Sequence, residues 1–317
     1  MSYHRDGQAR STLIVGTRGS QLALWQAEWV QRQIRAIAPD VAVILKRIQT
    51  SGDKIQDVPL SKIGGKGLFV KEIEEALLRR EIDLAVHSMK DVPSVLPEGL
   101  EILCVPERED PRDALIAREG YSLEKLPVGG RVGTSSLRRQ AQLLHVRPDL
   151  EIAVLRGNVD TRLRKVRENY FDAIILAASG LKRLGWDQEV TEYLSVDVSL
   201  PAIGQGSLGL EGRKDDAFVR NLVARFEHRP TRFAVTAERA LLTRLEGGCQ
   251  VPIAGHATLQ GDTLTLDGLV ASLDGKQYIR QSITGSAGEA GLIGTRLAEQ
   301  LLESGAGPIL QEIYGTA

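Results

Sequence analysis

Side chains suited to an anionic ligand gather at predicted turns between a strand and the following helix. These residues are Arg18, Ser20, Thr134, Ser136, Arg138, Arg139, Arg156 and Arg162. Backbone N–H groups at a helix N-terminus attract anions, and the planar guanidinium group fits carboxylates and phosphates. Two interpretations stay open: the turns form one anion-binding cleft at the carboxyl ends of the strands, or the cations form scattered surface ion pairs.

The charge distribution favours a small anionic ligand over a polyelectrolyte. The chain has 317 residues, with 40 basic and 41 acidic side chains, so neither a nucleic acid nor a membrane surface is expected as a partner. Residues 131–183, however, carry a local excess of six positive charges. Solvated helix faces account for Arg164, Lys165 and Arg167, but less well for the arginines in the turns.

A glycine-rich loop spans residues 62–69 and carries Lys62, Lys66 and Phe69. It is interpreted either as a flexible connection or as a basic lid over an anionic ligand. The loop lacks the G-x-x-x-x-G-K-[ST] pattern of nucleotide-binding loops, so nucleotide binding is only a weak alternative.

The segment 87–93 follows a predicted strand and contains Lys90 beside Asp91. This pair would hold an anionic substrate and offer a carboxylate for proton transfer, or it is an ordinary surface ion pair. His87 is open to a similar ambiguity, since a histidine at the edge of a core is often satisfied by a backbone carbonyl.

The two cysteines lie in different settings. Cys104 belongs to a buried-strand pattern and is predicted to be an inert apolar residue. Cys249 lies in a glycine-lined turn, where a thiol is more often structural than reactive. Their separation rules out any metal-binding spacing, and no metal is expected.

The elements that must position these residues follow an α/β pattern, in which short apolar runs alternate with helix-period segments and predict a parallel sheet covered by helices. Predicted strands are 13–15, 41–48, 84–86, 102–105, 115–117, 152–155 and 173–176. Predicted helices are 20–37, 68–80, 136–146, 159–168 and 179–184. After helices at 215–226 and 232–245, strands at 254–259, 263–270 and 276–283 and a helix at 291–302 predict a smaller α+β domain.

The N-terminal residues 1–11 have no apolar stretch after their charges and are expected to form a flexible extension. The longest apolar run is six residues, against the roughly 20 that span a bilayer. A cytoplasmic protein without a membrane anchor is therefore predicted.

Taken together, the motifs resemble the porphobilinogen deaminase family from about Leu13 onward. The segments that carry the resemblance are 17–27, 62–71, 85–93, 132–140, 155–163, 199–206 and 245–252. The resemblance implies two α/β domains of the periplasmic-binding-protein type and a smaller C-terminal α+β domain. The expected boundaries are 12–110 with 200–224, 111–199, and 225–317.

The activity implied by the resemblance is the head-to-tail condensation of four porphobilinogen molecules into hydroxymethylbilane, with release of ammonia. A dipyrromethane cofactor would be bound to Cys249 through a thioether, and the enzyme would be a monomer. Asp91 would be catalytic and would also contact the cofactor, stabilising the cationic intermediate. The cofactor's carboxylates would be held by Lys90, Thr134, Ser136, Arg138, Arg139 and Arg162. The substrate would be held by Arg18, Ser20, Arg156, Arg183 and Gln205, with Lys62, Lys66 and Phe69 in the lid.

The alternative function from another class is a non-catalytic cytosolic protein of the same two-domain fold that binds carboxylates or phosphates.

Overall fold

A computed structural model describes residues 11–54, 70–246 and 251–315 of the chain. These residues form two compact units. The first contains residues 11–54 and 70–108 together with Ser207–Arg232, so it is discontinuous in sequence. The second contains Glu109–Gly206 and the described residues from Phe233 onward.

The first unit is built on a five-stranded mixed sheet in the order β2-β1-β3-β10-β4. Its strands are β1 (Thr12–Thr17), β2 (Ala42–Arg47), β3 (Leu84–Ser88), β4 (Leu100–Cys104) and β10 (Leu208–Arg213). β1 pairs in parallel with β2 and β3, whereas β10 is antiparallel to both β3 and β4.

The longer helices of this unit cover its sheet because their apolar residues recur at helical spacing, whereas the short helix Ser51–Lys54 contains no apolar residue. The helices are α1 (Gln21–Ile37), α2 (Ser51–Lys54), α3 (Lys71–Leu78) and α7 (Ala217–Val223). In α1, Val30 and Ile34 are buried in the same core cluster as Leu13 of β1. The helix begins after Ser20, whose hydroxyl accepts a hydrogen bond from the Ala23 N–H, and ends just before Pro39.

The second unit contains another five-stranded mixed sheet, in the order β7-β6-β8-β5-β9. Its strands are β5 (Asp113–Ala117), β6 (Arg131–Gly133), β7 (Glu151–Ala153), β8 (Ala173–Ala177) and β9 (Glu192–Tyr193), and its helices are α4 (Leu137–Val146), α5 (Val159–Arg167) and α6 (Ala178–Leu184). β6, β7 and β8 run in parallel and β5 is antiparallel to its neighbours. In both sheets three parallel strands are therefore followed by one reversed strand, which makes the two α/β layers similar.

The second unit also contains a three-stranded antiparallel sheet, β11-β12-β13. Its elements are β11 (Ile253–Gln260), β12 (Thr263–Ala271), β13 (Tyr278–Ser286), α8 (Arg229–Arg244), α9 (Ala290–Leu301) and α10 (Gly307–Gly315), although α8 begins in the first unit. Leu241, Leu266 and Leu297 belong to one buried core that joins this sheet to its helices. Gly294 allows α9 to approach α8, since a Cβ there would overlap the Ala237 carbonyl oxygen.

These observations confirm the predicted fold class of two α/β sheets and a smaller α+β region. The predicted parallel strand order holds for three strands of each sheet, whereas β10 and β5 enter their sheets reversed. The pattern also missed β10, whose Gly209 and Gly212 weaken a strand signal. Both glycines fill a packing need, since a Cβ would collide with the Met89 side chain at Gly209 or with the Leu103 side chain at Gly212. The residue boundaries of the three predicted domains remain a prediction.

Candidate functional site

The carboxyl edge of the first sheet brings two predicted turns together. Arg18 and Ser20 lie between β1 and α1, and Lys90 and Asp91 lie in a short 3₁₀ turn directly after β3. Because β1 and β3 are adjacent and parallel, the two turns lie at the same edge. All four side chains are half-buried, so part of each remains accessible to a ligand.

The turn that carries Lys90 and Asp91 is firmly attached to the sheet. The Met89 N–H donates to the Ser207 carbonyl at 3.0 Å, and the Val92 N–H donates to the Met89 carbonyl at 3.2 Å. The Met89 side chain is buried. Pro93 disfavours helical geometry at Val92, which is extended and ends the turn. The segment is therefore attached at its start to Ser207 and closed internally by the bond from Val92 to Met89.

The carboxyl edge of the second sheet gathers a larger set of predicted site residues. Thr134 follows β6, Ser136 caps α4, and Arg156 lies in the turn between β7 and α5. The Ser136 hydroxyl accepts from the Arg139 N–H at 3.4 Å, and Ser135 Oγ donates to the Leu155 carbonyl at 2.6 Å. The second bond ties the two turns together.

A buried carboxylate, Asp113 at the start of β5, holds both arginines of α4. Its Oδ1 accepts from Arg139 Nε at 3.0 Å and Nη2 at 2.7 Å, and its Oδ2 lies 2.8 Å from Arg138 Nη2. Ser199 Oγ and Gln205 Nε2 also donate to it, at 2.8 and 2.9 Å. Burial alone would raise the pKa of Asp113, but the charges of Arg138 and Arg139 outweigh it and hold the pKa well below its usual range.

Arg156 and Arg162 have no comparable counterion. Among the residues that the structure describes, no carboxylate forms an ion pair with either side chain. Arg162 Nε donates to the Gly157 carbonyl at 2.8 Å. Desolvation, followed by the positive charges of Arg139 and Arg156, lowers the pKa of Arg162 to about 10. This group of guanidinium charges is therefore under-neutralised.

Two further predicted site residues belong to the second unit and lie close to Gly206, where the chain passes into the first unit. Arg183 of α6 donates to the Gly206 carbonyl at 2.7 Å, and burial lowers its pKa to about 10 although Glu109 acts in the opposite direction. The amide of Gln205 donates to the Pro111 carbonyl at 2.7 Å as well as to Asp113. Gln205 therefore has clear structural partners.

Several sequence interpretations can now be compared with the structure. The lid residues Lys62, Lys66 and Phe69 and the cysteine Cys249 lie outside the described residues. Cys104 is fully buried, and burial followed by the negative charge of Glu227 raises the pKa of its thiol, as an inert residue requires. The imidazole of His87 is paired with the carboxylate of Glu211.

Sequence reasoning missed Asp113 because the predicted strand begins only at residue 115, which leaves this aspartate in the preceding charged stretch. Its partners are 26 residues away at Arg139 and 86 residues away at Ser199, so no local pattern contains them. The available signal was an aspartate directly before the apolar run 114–117. A charge entering a buried strand requires a buried partner.

No helix in the described part of the chain is both long and apolar enough to cross a membrane. Within that same part, no group of three or more His, Cys, Asp or Glu side chains is arranged to hold a metal ion.

Comparisons with known proteins identify the family. Residues 13–221 match the model described as "Porphobilinogen deaminase, dipyromethane cofactor binding domain", and residues 232–303 match "Porphobilinogen deaminase, C-terminal domain". The chain is 59% identical over 306 residues to the porphobilinogen deaminase of Geobacter sulfurreducens, covering 96% of each chain. It is 60% identical over 300 residues to that of Syntrophotalea carbinolica, covering 95% of each.

Among solved structures, the chain is similar to the periplasmic aliphatic sulphonate binding protein of Escherichia coli, with a TM-score of 0.40 and 14% identity, over 75% of this chain and 71% of that one. The family matches place this chain in a class of enzymes that build linear tetrapyrroles. The chain belongs to the porphobilinogen deaminase family, also called hydroxymethylbilane synthases, and its larger matched region is the family's cofactor-binding domain. The resemblance found in the sequence is thereby confirmed.

The residues at the second edge suit a dipyrromethane, which carries an acetate and a propionate on each ring. Arg138 Nε and Arg156 Nε are buried without a hydrogen-bond partner among the described residues. A buried guanidinium N–H without a partner is costly, and a carboxylate would satisfy it. Burial, followed by the positive charges of Arg139 and Arg156, lowers the pKa of Arg162, and a bound carboxylate would offset both effects.

Proposed function

We propose that this chain condenses four porphobilinogen molecules head to tail into hydroxymethylbilane, releasing ammonia at each addition, on a dipyrromethane primer tied to Cys249. The observation that supports these residue assignments is the under-neutralised guanidinium group around Arg156 and Arg162. A chain of carboxylate-bearing pyrroles is the anionic ligand that such a group needs.

The second sheet supplies the holding residues. Thr134, Ser136, Arg138, Arg139 and Arg162 bind the cofactor's carboxylates, with Lys90 of the first sheet. Asp113 fixes the directions of two of these guanidinium groups before any ligand arrives, so little orientational entropy is lost on binding. When bound, the dipyrromethane supplies the pyrrole carbon to which the first substrate is joined.

The incoming substrate is bound by Arg18, Ser20, Arg156, Arg183 and Gln205. Ser20 caps α1, so a carboxylate held there also benefits from the helix N-terminus. The amide of Gln205 already donates to the Pro111 carbonyl and to Asp113, so its contact with substrate would use its side-chain oxygen.

Asp91 is the catalytic residue. As the C–N bond of the substrate's aminomethyl group breaks, ammonia leaves and positive charge develops on the pyrrole. A carboxylate beside the pyrrole N–H stabilises that charge, and it accepts a proton when aromaticity is restored. The attachment of its turn to Ser207 keeps the carboxylate in one position through successive additions.

We further propose that the enzyme is a cytoplasmic monomer divided into the three domains 12–110 with 200–224, 111–199, and 225–317. A reducing compartment would keep Cys249 available as a free thiol before the primer is attached. Lys62, Lys66 and Phe69 are proposed to form a lid over the bound chain.

Turnover by an Asp91→Asn variant tests the proposed catalytic role. This change removes the negative charge at nearly constant shape, so we expect porphobilinogen consumption to fall by about 100-fold or more. Asp40→Asn, which alters an exposed carboxylate in the same unit, is the control and should keep full activity. Near-normal steady-state product formation by Asp91→Asn would remove Asp91 from this role. If neither variant nor the unaltered protein consumes porphobilinogen while carboxylates still bind, the non-catalytic alternative gains support.

A further inference from the structure

Three titratable side chains lie buried on and beside β3, the strand that leads into the turn with Lys90 and Asp91. His87 belongs to β3, Glu211 to β10 and Glu74 to α3, and they are 5%, 0% and 7% exposed. His87 Nε2 lies 2.8 Å from Glu211 Oε2. None of the three has a role in the function proposed above.

The strand register explains why these groups meet. β3 and β10 are antiparallel, with His87 opposite Gly209 and Ala85 opposite Glu211. His87 and Glu211 are therefore diagonal neighbours on one face of the sheet. Ala85 belongs to the same buried cluster as Ile73 and Leu77 of α3, so this face is covered by the helix that carries Glu74.

The cluster contains two carboxyl groups, those of Glu74 and Glu211, and one imidazole. Glu74 Oε1 and Glu211 Oε1 are both buried without a hydrogen-bond partner among the described residues. Burial, followed by the charge of Glu211, raises the pKa of Glu74 to about 7, while His87 acts in the opposite direction. Whatever the protonation state of His87, ionisation of Glu74 adds one buried negative charge.

Other charged groups on the elements around Glu74 are engaged elsewhere. On its own helix, Glu72 accepts from Ser51 and Glu75 pairs with Arg79. On β10, Arg213 pairs with Asp83, next to β3, and with Asp216. On β4, Glu101 pairs with Arg220. Glu74 is therefore governed mainly by His87 and Glu211.

We propose that Glu74 is a positioning residue for this reaction, acting through the His87–Glu211 pair on the catalytic turn, and that turnover is faster when Glu74 is ionised. This inference rests on the proposed role of Asp91. Asp91 lies four residues after His87, at most about 14 Å along the chain. A negative charge added to the cluster that packs on the strand leading into this turn favours the positive charge that develops on the substrate. For one buried charge acting without direct contact, we expect an effect on rate of roughly three- to tenfold.

The test is the pH profile of kcat for four proteins, each first shown by intact mass to carry its cofactor. The unaltered enzyme should gain activity as the pH rises through about 7, with KM nearly unchanged. Glu74→Gln, which is neutral at all pH values, should lose this rise and stay three- to tenfold below the unaltered enzyme at about pH 8.5. Glu74→Asp should keep the rise, since it can still ionise. Glu75→Gln, an exposed change on the same helix, should match the unaltered enzyme.

A second measurement does not depend on activity. The infrared difference between the unaltered protein and Glu74→Gln should show one carboxyl group that ionises with a midpoint near pH 7. The proposal is overturned if Glu74→Gln keeps the rise in kcat, if Glu74→Asp loses activity as fully as Glu74→Gln, or if no such carboxyl group titrates. Near-normal turnover by Asp91→Asn would instead overturn the proposed function while leaving the infrared result intact.

Discussion

Two pairs of arginines at the same edge of the second sheet are treated differently by the fold. Arg138 and Arg139 are buried and share the carboxylate of Asp113, whereas no described carboxylate pairs with Arg156 or Arg162. The first pair is oriented by one internal carboxylate, which balances one of its two charges, and the second pair has no described carboxylate at all. The site thus contains one pair of arginines fixed by an internal carboxylate and a second pair whose charge no described carboxylate balances.

The strongest test of this contrast is Asp113→Asn. Removing the carboxylate charge leaves two buried guanidinium groups without a counterion, and breaking a buried pair in this way costs about 3–5 kcal/mol. The measurement is the free energy of unfolding from denaturant titration. Asp215→Asn is the matched control, because Asp215 also lies 2.7 Å from an arginine, Arg80, but on the surface. That control should change the free energy of unfolding by about 1 kcal/mol at most.

The same contrast predicts how stability depends on acid. The pKa of Asp113 is lowered in the folded state from its ordinary value of 3.8, so the unfolded chain binds the proton more readily. The contribution of Asp113 is therefore fully present above about pH 4 and is lost as the pH falls further. The difference in the free energy of unfolding between the unaltered protein and Asp113→Asn should shrink below about pH 4. A difference that stays constant down to about pH 2 would contradict the assigned ion pairs.

Arg162→Gln should have a smaller effect, and its effect should depend on the ligand. In a Cys249→Ala background without cofactor, removing a charge repelled by Arg139 and Arg156 should leave the free energy of unfolding unchanged or slightly higher. In the cofactor-loaded protein, Arg162→Gln should lower the free energy of unfolding by about 1.5–3 kcal/mol, the value of a hydrogen bond to a charged group. Arg164→Gln, an exposed change on the same helix, should be neutral in both backgrounds. Equal losses in both backgrounds would mean that Arg162 is a structural residue.

These differences show which features a single sequence reveals. Arg156 and Arg162 were recognised because their turn is local, and the parallel order of β6, β7 and β8 then brought them near the turn at Ser136. Asp113 was missed because its five hydrogen bonds come from residues far along the chain. The periodic helices, such as α1, were predicted almost to the residue.

β10 was missed for a related reason. It is a central strand whose glycines at 209 and 212 make room for neighbouring side chains, and only the assembled sheet shows that need. The buried pairing of Glu211 with His87 depends on the same strand. Local pattern thus predicts elements and turns, whereas long-range charge partners require the fold.

The most direct test of the central claim is the intact mass of the full-length protein, purified from cells that make porphobilinogen. We predict a mass above that of the 317-residue sequence by one dipyrromethane, and no added mass in Cys249→Ala. Unmodified mass in the unaltered protein, or the same added mass in Cys249→Ala, would contradict the account.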